Sequence, residues 1–220
     1  MFYLIGDIHG NFGKLFNLYT TMVKQAVPED IFIFLGDYID RGGHSYEVIE
    51  FLLHLAKKHS AVFLKGNHEG MFMDYLSGKD IQGGFLLNGG EATIRSYVRN
   101  IGGFSVPGHH RLFLNTLKLY YEGDDFIAVH AGLNPSVEVL ERQEEHDLLW
   151  IRDKFFRTEK RFKKTVIFGH TPTVYINGET SIYDDPERNI IGIDTGVIFG
   201  RNITCLRWPD RKVFISGDVV

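Results

Sequence analysis

The stretch Phe2-Tyr3-Leu4-Ile5-Gly6-Asp7-Ile8-His9-Gly10 sets a short apolar run directly against Gly-Asp and a histidine, and the arrangement recurs twice. Ile31-Phe32-Ile33-Phe34-Leu35 ends in Gly36-Asp37, and Ala61-Val62-Phe63-Leu64 leads through Lys65 into Gly66-Asn67. Asp7, Asp37 and Asn67 are 30 residues apart each time. Runs this short and rich in Ile, Phe and Val read as buried strands. Between them Phe12, Leu15, Phe16, Tyr19, Met22 and Val23 keep a helical period. So do Val48, Ile49, Leu52, Leu53 and Leu55, after Ser45 as N-cap and with Glu47 in the first turn. About thirty residues is the length of a strand-helix-strand unit, and its right-handed crossover makes successive strands parallel. Parallel strands place their carboxyl ends on one edge, where open α/β folds bind ligands. The three polar residues should therefore converge.

Farther along, Phe126-Val129 runs into His130, Val166-Phe168 into Gly169-His170, and Ile190-Ile193 into Asp194. Ile203-Arg207 and Val213-Ser216 read as a strand pair turning at Pro209-Asp210. The stretch from Gly70 to Gly123 is more helical and reads as an insertion between strands. With 220 residues, 44% of them hydrophobic, the chain suits one domain over residues 1–220 with a core that needs no disulfide. A net charge of −4 disfavours binding nucleic acid through overall basic charge, and no stable nucleic-acid partner is expected. Cys205 is the single cysteine, which fits a reducing compartment. The apolar runs are far too short for a membrane span, and the start of the sequence lacks the basic region of a signal peptide. The expectation is a cytoplasmic protein without a membrane partner, its oligomeric state left open.

Asp7, His9, Asp37, Asn67, His130 and His170 all stand at ends of predicted strands. Two carboxylates, three imidazoles and an amide oxygen on one edge make a metal site. Oxygen and nitrogen donors without thiolate suit Mn, with Fe or Zn as alternatives, better than a structural zinc. Six donors exceed what one open catalytic ion takes and match two divalent ions that share a carboxylate. Such a pair can clamp phosphoryl oxygens and ionise a water near neutral pH.

Gly6-Asp7-Ile8-His9-Gly10, Gly36-Asp37-Tyr38-Ile39-Asp40-Arg41-Gly42 and Gly66-Asn67-His68-Glu69 resemble the three signature blocks of the phosphoprotein-phosphatase family of metallophosphoesterases. Ala128-Val129-His130-Ala131-Gly132-Leu133 and Gly169-His170-Thr171-Pro172 are similar to its two later histidine blocks, in the same order. The resemblance runs from Asp7 to Gly196. With Leu149-Trp150-Ile151-Arg152, it is greatest to the small bacterial and phage serine/threonine phosphatases of the lambda type. It implies an α/β calcineurin-like sandwich of two mixed β-sheets flanked by helices. It also implies that Asp7, His9 and Asp37 hold one metal and that Asp37, Asn67, His130 and His170 hold the other, with Asp37 bridging. His68 would be the general acid, oriented by Asp40, and Arg41 and Arg152 would bind the substrate phosphate. The implied reaction is hydrolysis of phosphoserine and phosphothreonine in proteins or peptides by direct attack of metal-held hydroxide, without a covalent enzyme intermediate. The alternatives are a symmetrical dinucleoside polyphosphate hydrolase, acting for instance on diadenosine tetraphosphate, and a metal-binding scaffold without catalysis.

Four further features invite functional readings. Cys205 and Arg211 have the spacing of a cysteine phosphatase, but the residues between them lack the glycines of a phosphate loop, so Cys205 reads as a buried small hydrophobe. Asp194-Thr195-Gly196 offers Asp194 either as an acceptor for a ligand histidine or as a turn residue. The basic strip from Arg152 to Lys164 reads as a solvated helix face with buried Phe155, Phe156 and Phe162, with an anion- or RNA-facing strip beside Arg152 as the alternative. His44, His54, His59, His109, His110 and His146 read as surface or helix residues without a ligand role.

Overall fold

The computed structural model describes residues 1–217. Strands β1 (Phe2–Ile5), β2 (Ile31–Phe34) and β3 (Ser60–Phe63) run parallel, joined by helices α1 (Phe12–Met22) and α2 (Ser45–Leu55). Then follow α3 (Asn67–Leu76), α4 (Glu91–Ile101) and α5 (Gly108–Asn115). The hairpin of β4 (Tyr120–Glu122) and β5 (Phe126–Val129) leads to the short helices α6 (Glu145–Trp150) and α7 (Asp153–Phe156). The chain continues through β6 (Thr165–Phe168), α8 (Thr173–Asn177), β7 (Tyr183–Asp185), β8 (Ile190–Gly192), β9 (Thr204–Trp208) and β10 (Lys212–Ile215). One sheet has the order β10-β9-β1-β2-β3 and the other β4-β5-β6-β8-β7. Each has three parallel strands, β1-β2-β3 and β5-β6-β8, with the remainder antiparallel.

Side chains alternate along each strand, and here both faces are covered. Leu4 and Ile33 point between the sheets, where they meet Phe126, Ala128, Ile167, Ile191 and Leu206. Tyr3, Ile5, Phe32 and Phe34 point the other way, onto Leu15, Leu18, Val48 and Leu52 of α1 and α2. Ile127, Val129, Val166 and Phe168 face outward from the second sheet onto Leu148, Phe155 and Phe162. The strands therefore read as unbroken apolar runs, and the sandwich is two mixed sheets flanked by helices.

The structure departs from several sequence expectations. β3 is an edge strand and only half-buried, so its run is not a fully buried strand. The edge strands β4 and β7 carry Tyr120-Tyr121-Glu122 and Tyr183-Asp184-Asp185, too short and too polar to show a strand pattern. Ser45 does not cap α2; the N-cap is His44. The Ser45 hydroxyl instead accepts the Asp40 N–H at 3.1 Å and pairs with Thr93 Oγ1 at 2.9 Å. The basic strip is helical only over Asp153–Phe156, although its three phenylalanines are buried. Lys160 donates to Pro135 O, Lys164 to Gly123 O, and Arg161 to Pro186 O, so much of the strip ties down neighbouring loops. Cys205 lies buried in β9, and β9 and β10 pair as read.

Candidate active site

The ends of β1, β2, β5 and β6 bring Asp7, His9, Asp37, His130 and His170 to one edge. Asn67 and His68 reach it from the first turn of α3 rather than from a strand end. The chain bends sharply there: His9, Asp37, Asp40, Arg41 and His170 all have positive φ, between 46° and 71°. Such backbone is unfavourable for residues with a Cβ, and it persists where surrounding structure enforces it. Ile8 and His9 N–H both donate to Asp37 O, at 3.0 and 2.8 Å, which locks the first two loops together. Glycine is needed where these loops touch. A Cβ at Gly66 would collide with the Asp37 carboxylate and one at Gly169 with that of Asp7.

Asp37 stands at the centre. His9 Nε2 lies 3.4 Å from its Oδ2, and His130 Nε2 lies 3.4 Å from its Oδ1. Asn67 Oδ1 is 2.9 Å from both His130 Nε2 and His170 Nδ1. Asp7 accepts the His170 backbone N–H on both oxygens at 3.1 Å and sits 4.0 Å from His9 Nε2. Two groups of donor atoms each fall within 4.8 Å: His9, Asp37 and His68, and Asp37, His130 and His170. Asp37 belongs to both, as a bridging carboxylate must.

The tautomers set by the backbone test whether cations fit. His9 Nδ1–H donates to Ile39 O at 3.1 Å, and His130 Nδ1–H to Leu35 O at 2.8 Å. Each ring then turns the lone pair of Nε2 toward oxygens that are themselves acceptors. Lone pairs aimed at lone pairs are repulsive unless a cation lies between them, and this is how histidine ligands are commonly oriented. His170 Nε2 is buried with no hydrogen-bond partner among the described residues. Electrostatics agree. Burial first, then the Asp194 charge, raises the Asp7 carboxyl well above its usual range; burial and then Asp7 do the same for Asp37. Burial lowers His130 to about 3 and holds His9 and His170 well below the ordinary imidazole value, so the rings are neutral. A buried cluster of mutually repelling carboxylates and neutral imidazoles suits two divalent ions.

Beside the cluster, Asp40 Oδ2 accepts from His68 Nδ1 at 2.7 Å, and Asp40 Oδ1 accepts from Thr93 Oγ1 at 2.6 Å. His68 Nε2 is left facing Asp37 Oδ2 at 3.9 Å and Arg41 Nη2 at 3.3 Å. Arg152 Nη1 reaches Thr171 Oγ1 at 3.5 Å. Both guanidiniums act on Asp194, which burial nevertheless raises to about 6. All ten residues singled out in the sequence thus lie in or beside one site.

Two others were missed there. Glu69 is fully buried, and its carboxylate accepts N–H groups from Asp37 at 2.9 Å, Tyr38 at 2.8 Å and Gly66 at 3.0 Å. Its place in Gly-Asn-His-Glu, at the third position of α3, was a capping signal available in the sequence. Thr93 has no such signal, because α4 approaches Asp40 only in the folded chain. Among the described residues Asp194 makes no hydrogen bond or ion pair with a histidine; its Oδ1 accepts the Gly196 N–H at 2.9 Å, as a turn residue does. A cleft of about 760 Å³ adjoins Asn67 and is lined by Lys65, Met71, Lys79, Arg111 and Trp150.

The family description calcineurin-like phosphoesterase matches residues 1–217. The asymmetrical bis(5'-nucleosyl)-tetraphosphatase PrpE of Anoxybacillus flavithermus is 25% identical over 95% of this chain and 91% of its own. The serine/threonine-protein phosphatase PP1-1 of Saccharomyces cerevisiae is 33% identical over 62% of this chain and 40% of its own. Among solved structures, one provisionally identified as a diadenosine tetraphosphatase superposes with a TM-score of 0.71 at 20% identity, covering 97% of this chain and 91% of that one. That last likeness speaks for the fold alone.

Proposed function

Because the chain belongs to the calcineurin-like phosphoesterases, we propose that it is a two-metal hydrolase of dinucleoside polyphosphates such as diadenosine tetraphosphate. The observation that carries this reading is the cleft beside Asn67. Its volume of about 760 Å³ suits a nucleoside, Trp150 and Met71 offer faces for a base, and Lys79 and Arg111 offer positive charge to a phosphate chain, while Lys65 is paired with Glu145 at 2.6 Å and Asp74 also lines the wall. Tetraphosphatase relatives matched along more than nine-tenths of both chains support it.

Two divalent ions, Mn by preference, would be held by Asp7, His9 and Asp37 and by Asp37, Asn67, His130 and His170. Such ions supply Lewis acidity to phosphoryl oxygens and make a water nucleophilic near neutral pH. The protein's own groups do the rest. Arg41 and Arg152 offer planar forks to the phosphate oxygens and hold the group in line. Asp40 fixes His68 so that Nε2 gives its proton to the leaving oxygen.

The second reading is hydrolysis of phosphoserine and phosphothreonine in proteins or peptides, to which the sequence pointed first. The His68–Asp40 pair at 2.7 Å favours it, because an alkoxide is the more basic leaving group and gains more from a proton. The test is kcat/KM for diadenosine tetraphosphate and for a phosphothreonine peptide, with Mn supplied. A clear preference for the dinucleotide supports the first reading. Turnover of the peptide alone replaces it with the second, and turnover of neither, nor of an aryl phosphate, leaves a scaffold.

A further inference from the structure

A second, separate cluster of ligand-type side chains joins α2 to α5. Glu50 projects from α2, and His109 and His110 from the first turn of α5. His109 Nε2 lies 2.7 Å from Glu50 Oε1, and His110 Nε2 lies 2.9 Å from the same oxygen. The three donor atoms fall within 4.8 Å of one another. His110 lies on a helix, one of the two places its sequence suggested, but not at the surface. Its side chain is completely buried, whereas those of His109 and Glu50 are about half exposed. One side of the cluster is thus set rigidly in the protein and the other opens to solvent.

From this geometry we propose a third metal site, for a zinc-like divalent transition ion, formed by Glu50, His109 and His110. Two imidazoles and a carboxylate are a common zinc donor set, and three protein ligands leave a position for water. The ion would replace the protons that now hold both rings to Glu50 Oε1. The outer support is present: His110 Nδ1 is 2.7 Å from the buried Tyr97 hydroxyl, so Nδ1–H can donate there while Nε2 turns its lone pair to the ion. Such a site discriminates between metals. Binding by imidazole and carboxylate strengthens from Mn toward Cu and Zn, and a three-ligand exposed site holds Mn weakly. The consequence reaches the substrate cleft. Arg111, Leu114 and Asn115 of α5 line that cleft, so an ion joining α5 to α2 would stiffen one of its walls.

The experiment is equilibrium dialysis of metal-free protein against Zn or Mn, with bound metal measured per chain and melting followed in parallel. The wild type should take up one more equivalent of Zn than of Mn. His109→Ala and Glu50→Gln should each lose that equivalent and the accompanying rise in Tm, while keeping wild-type Mn uptake and Mn-supported turnover. Because the readout is a difference between two metals and between variants, it holds whatever substrate the main site prefers. Equal uptake of Zn and Mn by the wild type, or unchanged Zn uptake in His109→Ala, would overturn the proposal.

Discussion

At the residue scale the decisive pair is His68 and Asp40. Both are buried, and Thr93 and Ser45 hold Asp40 from behind, so the imidazole has little freedom to turn. A proton donor of this kind faces a graded demand. A phenol with electron-withdrawing groups leaves readily without help, and an alkoxide does not. His68→Asn should keep its metals and lose about 10²–10⁴-fold in kcat/KM on a phosphothreonine peptide or other alkyl phosphate, with a much smaller loss on nitrophenyl phosphate. Asp40→Asn should show a milder form of the same pattern, and Thr93→Val, which removes one bond to the Asp40 carboxylate and one from its N–H, a milder one still. Equal losses on the two substrates would remove the acid role, and lost metal in His68→Asn would move that residue among the ligands. Arg41 answers to a different measurement. In its proposed role the guanidinium would meet the phosphate in ground and transition states alike, so Arg41→Ala should raise KM and lower kcat together. Arg152→Ala should do likewise, and unchanged kinetics would return Arg152 to the surface.

At the scale of elements, two buried or half-buried glutamates show how helices position the site. Glu69 stands in the first turn of α3 and gathers N–H groups from Asp37, Tyr38 and Gly66, although burial raises its carboxyl to about 7. It ties the Asp37 loop to the helix that presents Asn67 and His68. Glu69→Ala should cost about 3 kcal/mol in a denaturant titration, as expected for several hydrogen bonds to one buried carboxyl group, and should weaken metal binding as well. Glu47 joins α2 to α4 by accepting from Ser96 at 3.0 Å and Arg99 at 2.9 Å. Burial works against its charge, but hydrogen bonds from its own backbone, His44, Asn100 and Arg99 hold the carboxyl at about 2. Its folded value is below its ordinary one, so its stabilisation is complete above about pH 4.5 and fades as pH falls toward 2. The difference in unfolding free energy between wild type and Glu47→Gln should therefore be about 1 kcal/mol at neutral pH, solvent having reduced it, and shrink across that window. A difference independent of pH would show that the ion pair contributes nothing. These two residues also mark what the sequence made legible. β1, β2, β5 and β6, with their ligands, were readable because strands covered on both faces write continuous apolar runs and the polar residue ending each run is conspicuous. Thr93, His110 and the edge strands β4 and β7 were not, because their burial or pairing depends on chain segments distant in sequence.

At the scale of the whole molecule, the two sheets and α3 bring carboxylates and neutral imidazoles together at one edge, where water cannot relieve their repulsion. Asp7 and Asp37 are both buried; burial and then the Asp194 charge make Asp7 harder to ionise, and burial and then the Asp7 charge do so for Asp37. Divalent ions reverse that balance, since a cation lowers the cost of the carboxylate charge and gives the Nε2 lone pairs of His9 and His130 a partner. Folding and metal binding are then linked, and an ion that binds only the folded chain stabilises it by about 2.7 kcal/mol at a hundredfold excess over Kd. For a protein of this size that corresponds to roughly 5–10 °C in Tm. Chelated protein should therefore melt lower by about that amount and show no turnover of an aryl phosphate, and Mn should restore both. Asp37→Asn should resemble the chelated wild type in activity even with Mn present, because one carboxylate serves both donor groups. His109→Ala should recover with Mn as the wild type does, which separates the main centre from the α2–α5 cluster. The measurements are scanning calorimetry and initial rates on the same samples with metal content determined. Full turnover in protein shown to be metal-free would refute the two-metal centre, and an unchanged Tm on Mn addition would show that the carboxylates are already neutralised by protons in the folded chain.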